Sequence, residues 1–290
     1  MLSPAVAYVT THPLEFVKCV LKGFKQNQGL LLAGAVAYYA LLSVVPLLIL
    51  VVIGASHFVS QGELLATLAR YLEWIVPGQS RAIVAELRNF VEHRDVVGIV
   101  LLVTMLFFSS LGFTVLEKAM TVIFLHRLRV RRRHFLVSAL LPYAYIVCLG
   151  FGSLVVTVMA GALEALGRDS VAVLGREWSL EGLSGLMLYL LGFVGEVFLL
   201  TSVYMVMPVG RLRWRHALIG GATAAVLWEV TRHVLVWYFT TVSKVNVVYG
   251  SLTTAIVVLF SLEIAATLLL LGAQVISEFE RLERRVPSPP

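Results

Sequence analysis

Charge is scarce in this chain. Asp, Glu, Lys and Arg make up only 14% of its 290 residues, against about 25% in an ordinary soluble domain. So few charges cannot solvate the outside of a water-soluble fold of this size, and 59% of the residues are hydrophobic. The mean hydropathy is +0.89. Cysteine is scarcer still, with only Cys19 and Cys148. One sits on a basic amphipathic stretch and the other inside an apolar run, which excludes a disulfide framework and a cysteine zinc site. The motifs of soluble enzymes are missing as well: there is no GxGxxG, Walker loop, HExxH or GxSxG. The seven histidines are scattered. No enzymatic activity, cofactor or metal is therefore expected. Residues 1–28 lack a basic segment followed by an apolar core and a small-residue cleavage site, so no removable signal peptide is expected.

What the chain does have is long apolar runs. The first, Gly29 to Ala55, contains no charged residue. A helix rises about 1.5 Å per residue, so this run outreaches a hydrocarbon core of about 30 Å. Its centre is not plain, because Tyr38, Tyr39, Ser43 and Pro46 lie there. Pro46 has no N–H, so the Leu42 carbonyl loses its usual partner and needs a hydroxyl, a water or a neighbouring helix. Two readings stay open: a kink packed within a bundle, or a bent helix lining a polar cavity.

Five further spans are predicted at about 96–116, 135–160, 183–208, 216–239 and 250–276. Residues 13–26 place Leu14, Val17, Leu21 and Phe24 at helical spacing, beside a stripe of Lys18, Lys22 and Lys25. That pattern suits a helix lying on an anionic membrane surface. Residues 61–92 predict two amphipathic helices, too polar to span, broken at Pro77-Gly78, with a Ser60/Glu63 capping box at the start. The expected architecture is all-α: a polytopic membrane protein of six transmembrane helices. An N-terminal interfacial helix occupies 1–28, one transmembrane domain occupies 29–276, and a disordered tail occupies 277–290.

Lys and Arg set the expected orientation. Fifteen fall on the side of the two termini and seven on the opposite side, which makes both termini cytoplasmic and the 61–92 helices extracytoplasmic. The same rule accounts for the basic stretch with Arg129, Arg131, Arg132 and Arg133. That stretch lacks interleaved aromatics, so no nucleic acid is expected as a partner. Anionic lipid headgroups are the expected contact there and at Lys18, Lys22 and Lys25.

Ionisable residues inside spans are costly and face a bundle interior or water. Here they are Glu196, Glu229, Arg232, His233 and Glu263. Glu229, Arg232 and His233 follow i, i+3, i+4 spacing and share one helix face. These groups either form buried ion pairs that fix helix register or line a polar pathway. The cavity expected from the second reading is built from Tyr38, Tyr39, Ser43, Pro46, Glu196, Glu229, Arg232, His233 and Glu263, with Tyr249 at its outer rim. Arg232 would contact an anion or headgroup, and the glutamates would bind a proton or cation. Ala217, Gly221 and Ala225, and likewise Ala33 and Ala37, step four apart and predict close helix contacts.

Three stretches together resemble the YihY/BrkB family of bacterial inner-membrane proteins, formerly labelled ribonuclease BN. AVAYYALLSVVPLL (Ala35–Leu48) is close to the family pattern AxAYYxLLSxxPLL. A basic loop ends in RRRHF (Arg131–Phe135). GGATAAVLWEV (Gly220–Val230) is followed by VYGSL (Val248–Leu252) and LLGAQ (Leu270–Gln274). Two positions depart from the family: Gln274 stands where an acidic residue is usual, and the Asn usual near Met120–Thr121 is absent. The resemblance implies six helices in the inner membrane and connects the chain with envelope integrity, virulence and transport. The expected function is a secondary transporter or flippase-like protein for a small solute or lipid. The alternatives are an envelope scaffold acting through 61–92 and, last, a ribonuclease.

Overall fold

The computed structural model describes residues 4–55, 60–75, 78–92, 99–124, 140, 143–145, 147–148, 152, 172–173, 176–177, 181–207, 212–238 and 253–285. The helices run α1 (Pro4–Thr11), α2 (Pro13–Gln26), α3 (Gly29–Ala55), α4 (Gln61–Ile75), α5 (Ser80–Glu92) and α6 (Ile99–Ile123). A two-residue antiparallel ladder follows, β1 (Ala172–Val173) with β2 (Arg176–Glu177). Then come α7 (Glu181–Val206), α8 (Trp214–Trp237) and α9 (Thr253–Arg285). Among the described residues the architecture is otherwise helical. The 135–160 span, the basic stretch at 125–139 and Tyr249 lie outside them, apart from short helical pieces within 140–152.

Four of these helices, α3, α6, α7 and α9, are long and apolar enough to cross a membrane. The chain is a multi-pass membrane protein. The 24 residues of α8 extend about 36 Å, but Glu229, Arg232 and His233 dilute the apolar character of the helix. They are the residues that make it interesting.

Helix α3 is continuous through Pro46. Ser43 donates its hydroxyl to the Ala40 carbonyl at 3.0 Å. Opposite it, Gly112 of α6 leaves the room that the Ser43 side chain fills, and a Cβ there would sit 3.3 Å from Ala40 Cα. Small residues set the other crossings too. Ala33, Ala37, Ala217 and Ala225 are fully buried. A Cβ on Gly221 would lie 2.9 Å from the Thr201 backbone nitrogen, so α7 and α8 touch through their backbones there. The order of packing is α6 against α3, α3 against α9, α9 against α8, and α8 against α7. The densest core gathers Ala33, Met120, Ile123, Tyr204, Ala217, Leu270 and Ile276 from all five helices.

The α4–α5 hairpin caps this bundle. Leu65 and Leu87 join Ile49, Val52 and Met105 in one cluster. The Glu63 N–H reaches Ser60 Oγ at 3.4 Å, which is one half of the capping box. Gly78 turns the chain at φ +79°, and its N–H donates to Glu73 at 2.7 Å. Thr254 at the start of α9 donates to Gln79 at 2.7 Å, which ties the turn to the last helix.

Two expectations change. Phe24 does not join Leu14, Val17 and Leu21 on an outward face; it is buried with Phe16, Val20 and Gly23. Gln28, at φ 53°, ends the turn after α2, and Phe24 then lies over Gly29 at the start of α3. The second change is in the tail, which is helical as far as Arg285 rather than disordered from 277. Phe279 and Leu282 pack with Phe16 and Val20 of α2, and Arg281 pairs with Glu278 at 3.0 Å, one turn apart. Burial on α2 therefore holds a segment whose charges alone suggest a solvated tail.

Candidate functional site

The charged cluster sits between α7 and α8. On α8, Glu229, Arg232 and His233 fall on one face because a turn takes 3.6 residues. On α7, Tyr189 and Glu196 stand two turns apart and face the same way. Tyr189 donates its hydroxyl to Glu229 Oε1 at 2.7 Å. Arg232 donates from Nη2 to Oε1 at 2.8 Å and from Nε to Oε2 at 3.2 Å, a two-pronged pair. The side chains of Glu229 and Arg232 are 16% and 28% exposed, so the pair is largely out of solvent. His233 Nδ1 donates to the Glu229 backbone carbonyl at 2.7 Å and stays on the outer side.

Glu196 completes the cluster differently. Its Oε1 is buried and has no hydrogen-bond partner among the described residues. The Arg232 guanidinium is turned onto Glu229. A carboxylate in hydrocarbon without a donor costs several kcal/mol. Glu196 is thus the member of the cluster with an unpaired buried oxygen among the described residues.

Of the other expected residues, Tyr249 lies outside the described residues, and Tyr38, Tyr39, Ser43, Pro46 and Glu263 make no hydrogen bond or ion pair with this cluster among the described residues. Tyr38 is exposed and meets Tyr39 edge to face at 5.3 Å. Ser43 is buried against α6, and Pro46 is half-buried. Glu263 lies on α9 toward Gly34, 3.9 Å from where a Cβ on that glycine would be. Helix α9 packs on α3 with one side and on α8 with another. Among the described residues no hydrogen bond or ion pair links the polar side chains of α3 to the charges of α7 and α8.

Sequence reasoning also missed a polar seam at the other end of α8 and α9. His216 is buried with Nδ1 3.2 Å from Glu280 and Nε2 3.2 Å from Glu283. Gln274, fully buried, accepts from Asn27 at 2.9 Å and donates to Glu278 at 3.0 Å. Ser277 donates to the Ile123 carbonyl at 3.2 Å. The signal was available: Gln274, Glu278 and Arg281 repeat at helical spacing past the end of the apolar run. Among the described residues no three His, Cys, Asp or Glu side chains converge as metal ligands would.

The profile of the family described as "Virulence factor BrkB" matches residues 20–290. The chain belongs to the BrkB family. Relatives similar to this chain carry the name UPF0761 membrane protein. The one from Alkalilimnicola ehrlichii is 29% identical over 273 residues, covering 90% of this chain and 57% of its own length. The one from Rhodospirillum centenum is 28% identical over 271 residues, covering 89% and 56%. A shorter relative from Histophilus somni is 24% identical over 262 residues and is 88% covered. This BrkB chain thus spans under two thirds of the length of the first two. No solved structure matches it.

Proposed function

We propose that this BrkB-family chain is a secondary transporter or flippase-like protein of the bacterial inner membrane, moving a small solute or lipid along the α7–α8 interface. On this reading it has six spans with both termini in the cytoplasm, and it performs no enzymatic chemistry. Excess Lys and Arg on the side of the termini supports that orientation. One observation carries the function: a charged cluster on membrane-length helices in which Glu229 and Arg232 satisfy each other while a buried oxygen of Glu196 does not. A purely structural pair would not need the third charge. Ionisable groups held at membrane depth mark ion and substrate paths. Glu196 takes a proton or small cation, and Arg232 is the group that an anionic solute or headgroup draws away from Glu229.

Proteoliposomes test this with two probes. One set holds pyranine and is challenged with pools of organic anions, cations and zwitterions. The other carries NBD-labelled phospholipid with dithionite outside. Movement is expected in one arm, and Glu196→Gln, which can no longer take up a proton, is expected to slow it strongly. Silence in both arms, or a Glu196→Gln variant as fast as the parent, contradicts the proposal.

A further inference from the structure

The inner face of α2 is occupied, and its outer face is not. Phe16, Val20, Gly23 and Phe24 are buried, packed with Val275 and Phe279 of α9 and over the start of α3. At Gly23 the fit is closest: a Cβ would meet the Gln274 amide and lie 2.8 Å from Glu278 Oε1. Asn27, at the end of α2, is bonded to the same Gln274 at 2.9 Å. The helix is therefore pinned and cannot roll to hide a different stripe.

Going round the helix from this docked face, the next stripe is Leu14, Val17 and Leu21. All three are exposed, Leu14 at 75%. The stripe after that is Lys18, Lys22 and Lys25, also exposed. None of the three ammonium groups has an acidic partner among the described residues. Glu15, the acidic residue of this helix, instead accepts from the Tyr8 hydroxyl of α1 at 3.0 Å. Three unpaired cations thus run beside three unburied apolar side chains.

Position supplies the occupant. Helix α3 crosses the membrane from Gly29, three residues after α2 ends, so α2 lies at a membrane–water boundary. We infer that the outer face of α2 is a binding site for anionic phospholipid, with Leu14, Val17 and Leu21 set among the acyl chains and Lys18, Lys22 and Lys25 on the phosphodiester headgroups. An apolar stripe flanked by lysines is the arrangement that a basic interfacial helix requires. An acidic protein partner would satisfy the lysines but not explain exposed leucines at the mouth of a span. This inference does not depend on transport along α7–α8.

The test uses the whole 290-residue chain in detergent with Cys19→Ser, Cys148→Ser and Val17→Cys, and an NBD label on the new thiol. Titration with phosphatidylglycerol is expected to move the label into an apolar environment, and phosphatidylcholine is not. Each lysine near an anionic surface contributes about 1 kcal/mol, so Lys18→Gln/Lys22→Gln/Lys25→Gln is expected to raise the midpoint by on the order of 100-fold. The same three positions changed to Arg keep the charge and are expected to keep the midpoint. Equal responses to both lipids, or an unchanged midpoint in the Gln variant, overturn the assignment. A label that ignores lipid and responds only to protein concentration gives this face to a second copy of the chain.

Discussion

Arg232→Ala is expected to be the most damaging single charge removal in the chain. It deletes both hydrogen bonds that Glu229 receives from the guanidinium and leaves the carboxylate with the Tyr189 hydroxyl as its remaining side-chain hydrogen bond and His233 Nδ1 3.7 Å away. Removing one member of a buried pair costs about 3–5 kcal/mol, because the survivor stays desolvated. A loss on the order of 3 kcal/mol is expected here, since both side chains keep some exposure. Thermal unfolding in detergent reads it. Glu229→Gln/Arg232→Gln is expected to recover most of the stability, because no charge is left stranded. It is not expected to recover transport, because the anion contact is gone. Stability and flux then move apart. A double variant that restores both would reduce the cluster to a register device.

Gly272→Leu is expected to rank second, through sterics rather than charge. Any Cβ at Gly272 would lie 3.0 Å from the Gly220 carbonyl and 3.0 Å from Ala224 Cβ, and would run into the Tyr204 hydroxyl. That hydroxyl is itself bonded to the Leu269 carbonyl at 2.7 Å. Backbone lies on the far side, so no rotamer change relieves the clash, and α9 has to leave α8. Overpacking a fitted core costs about 1–3 kcal/mol and more where backbone must move. The protein is expected to fail to accumulate in membranes. Gly192→Ala supplies the contrast. Nothing lies within 4 Å of its Cβ position, and alanine is preferred over glycine in a helix by up to about 1 kcal/mol. That variant is expected to match the parent or exceed it in melting temperature. Equal damage from both would mean that α8 and α9 do not cross at Gly220 and Gly272.

The apolar helices were legible in part because hydrocarbon imposes length and forbids charge, although α6 and α9 run seven and nine residues past the expected ends at 116 and 276. The uncharged run at 29–55 appears in the fold as one helix with those bounds, and 183–208 and 216–239 lie within two residues of α7 and α8. The grouping of Glu229, Arg232 and His233 was legible because it depends only on helical period. Which helix neighbours which was not. Spacing along the chain does not reveal that α9 packs against both α3 and α8, so which polar side chains meet could not be read from it. Phe24 was assigned to the wrong face of α2 for a related reason. Leu14, Val17, Leu21 and Phe24 satisfy a helical stripe as well as Phe16, Val20 and Phe24 do, and only the partner surface on α9 decides between them. The helical 277–285 segment was missed because its charges resemble a solvated tail until His216 and α2 are beside it.

Water access at Glu196 tests the central claim most directly. In a background carrying Cys19→Ser and Cys148→Ser, Glu196→Cys is compared with Phe198→Cys, an exposed apolar position two residues on along the same helix. A membrane-impermeant methanethiosulfonate, which reacts with hydrated thiolates, is applied to membrane vesicles. Modification at position 196 and none at 198 is the predicted result. A thiol at 196 as inert as the one at 198 would mean that no wet path reaches the cluster.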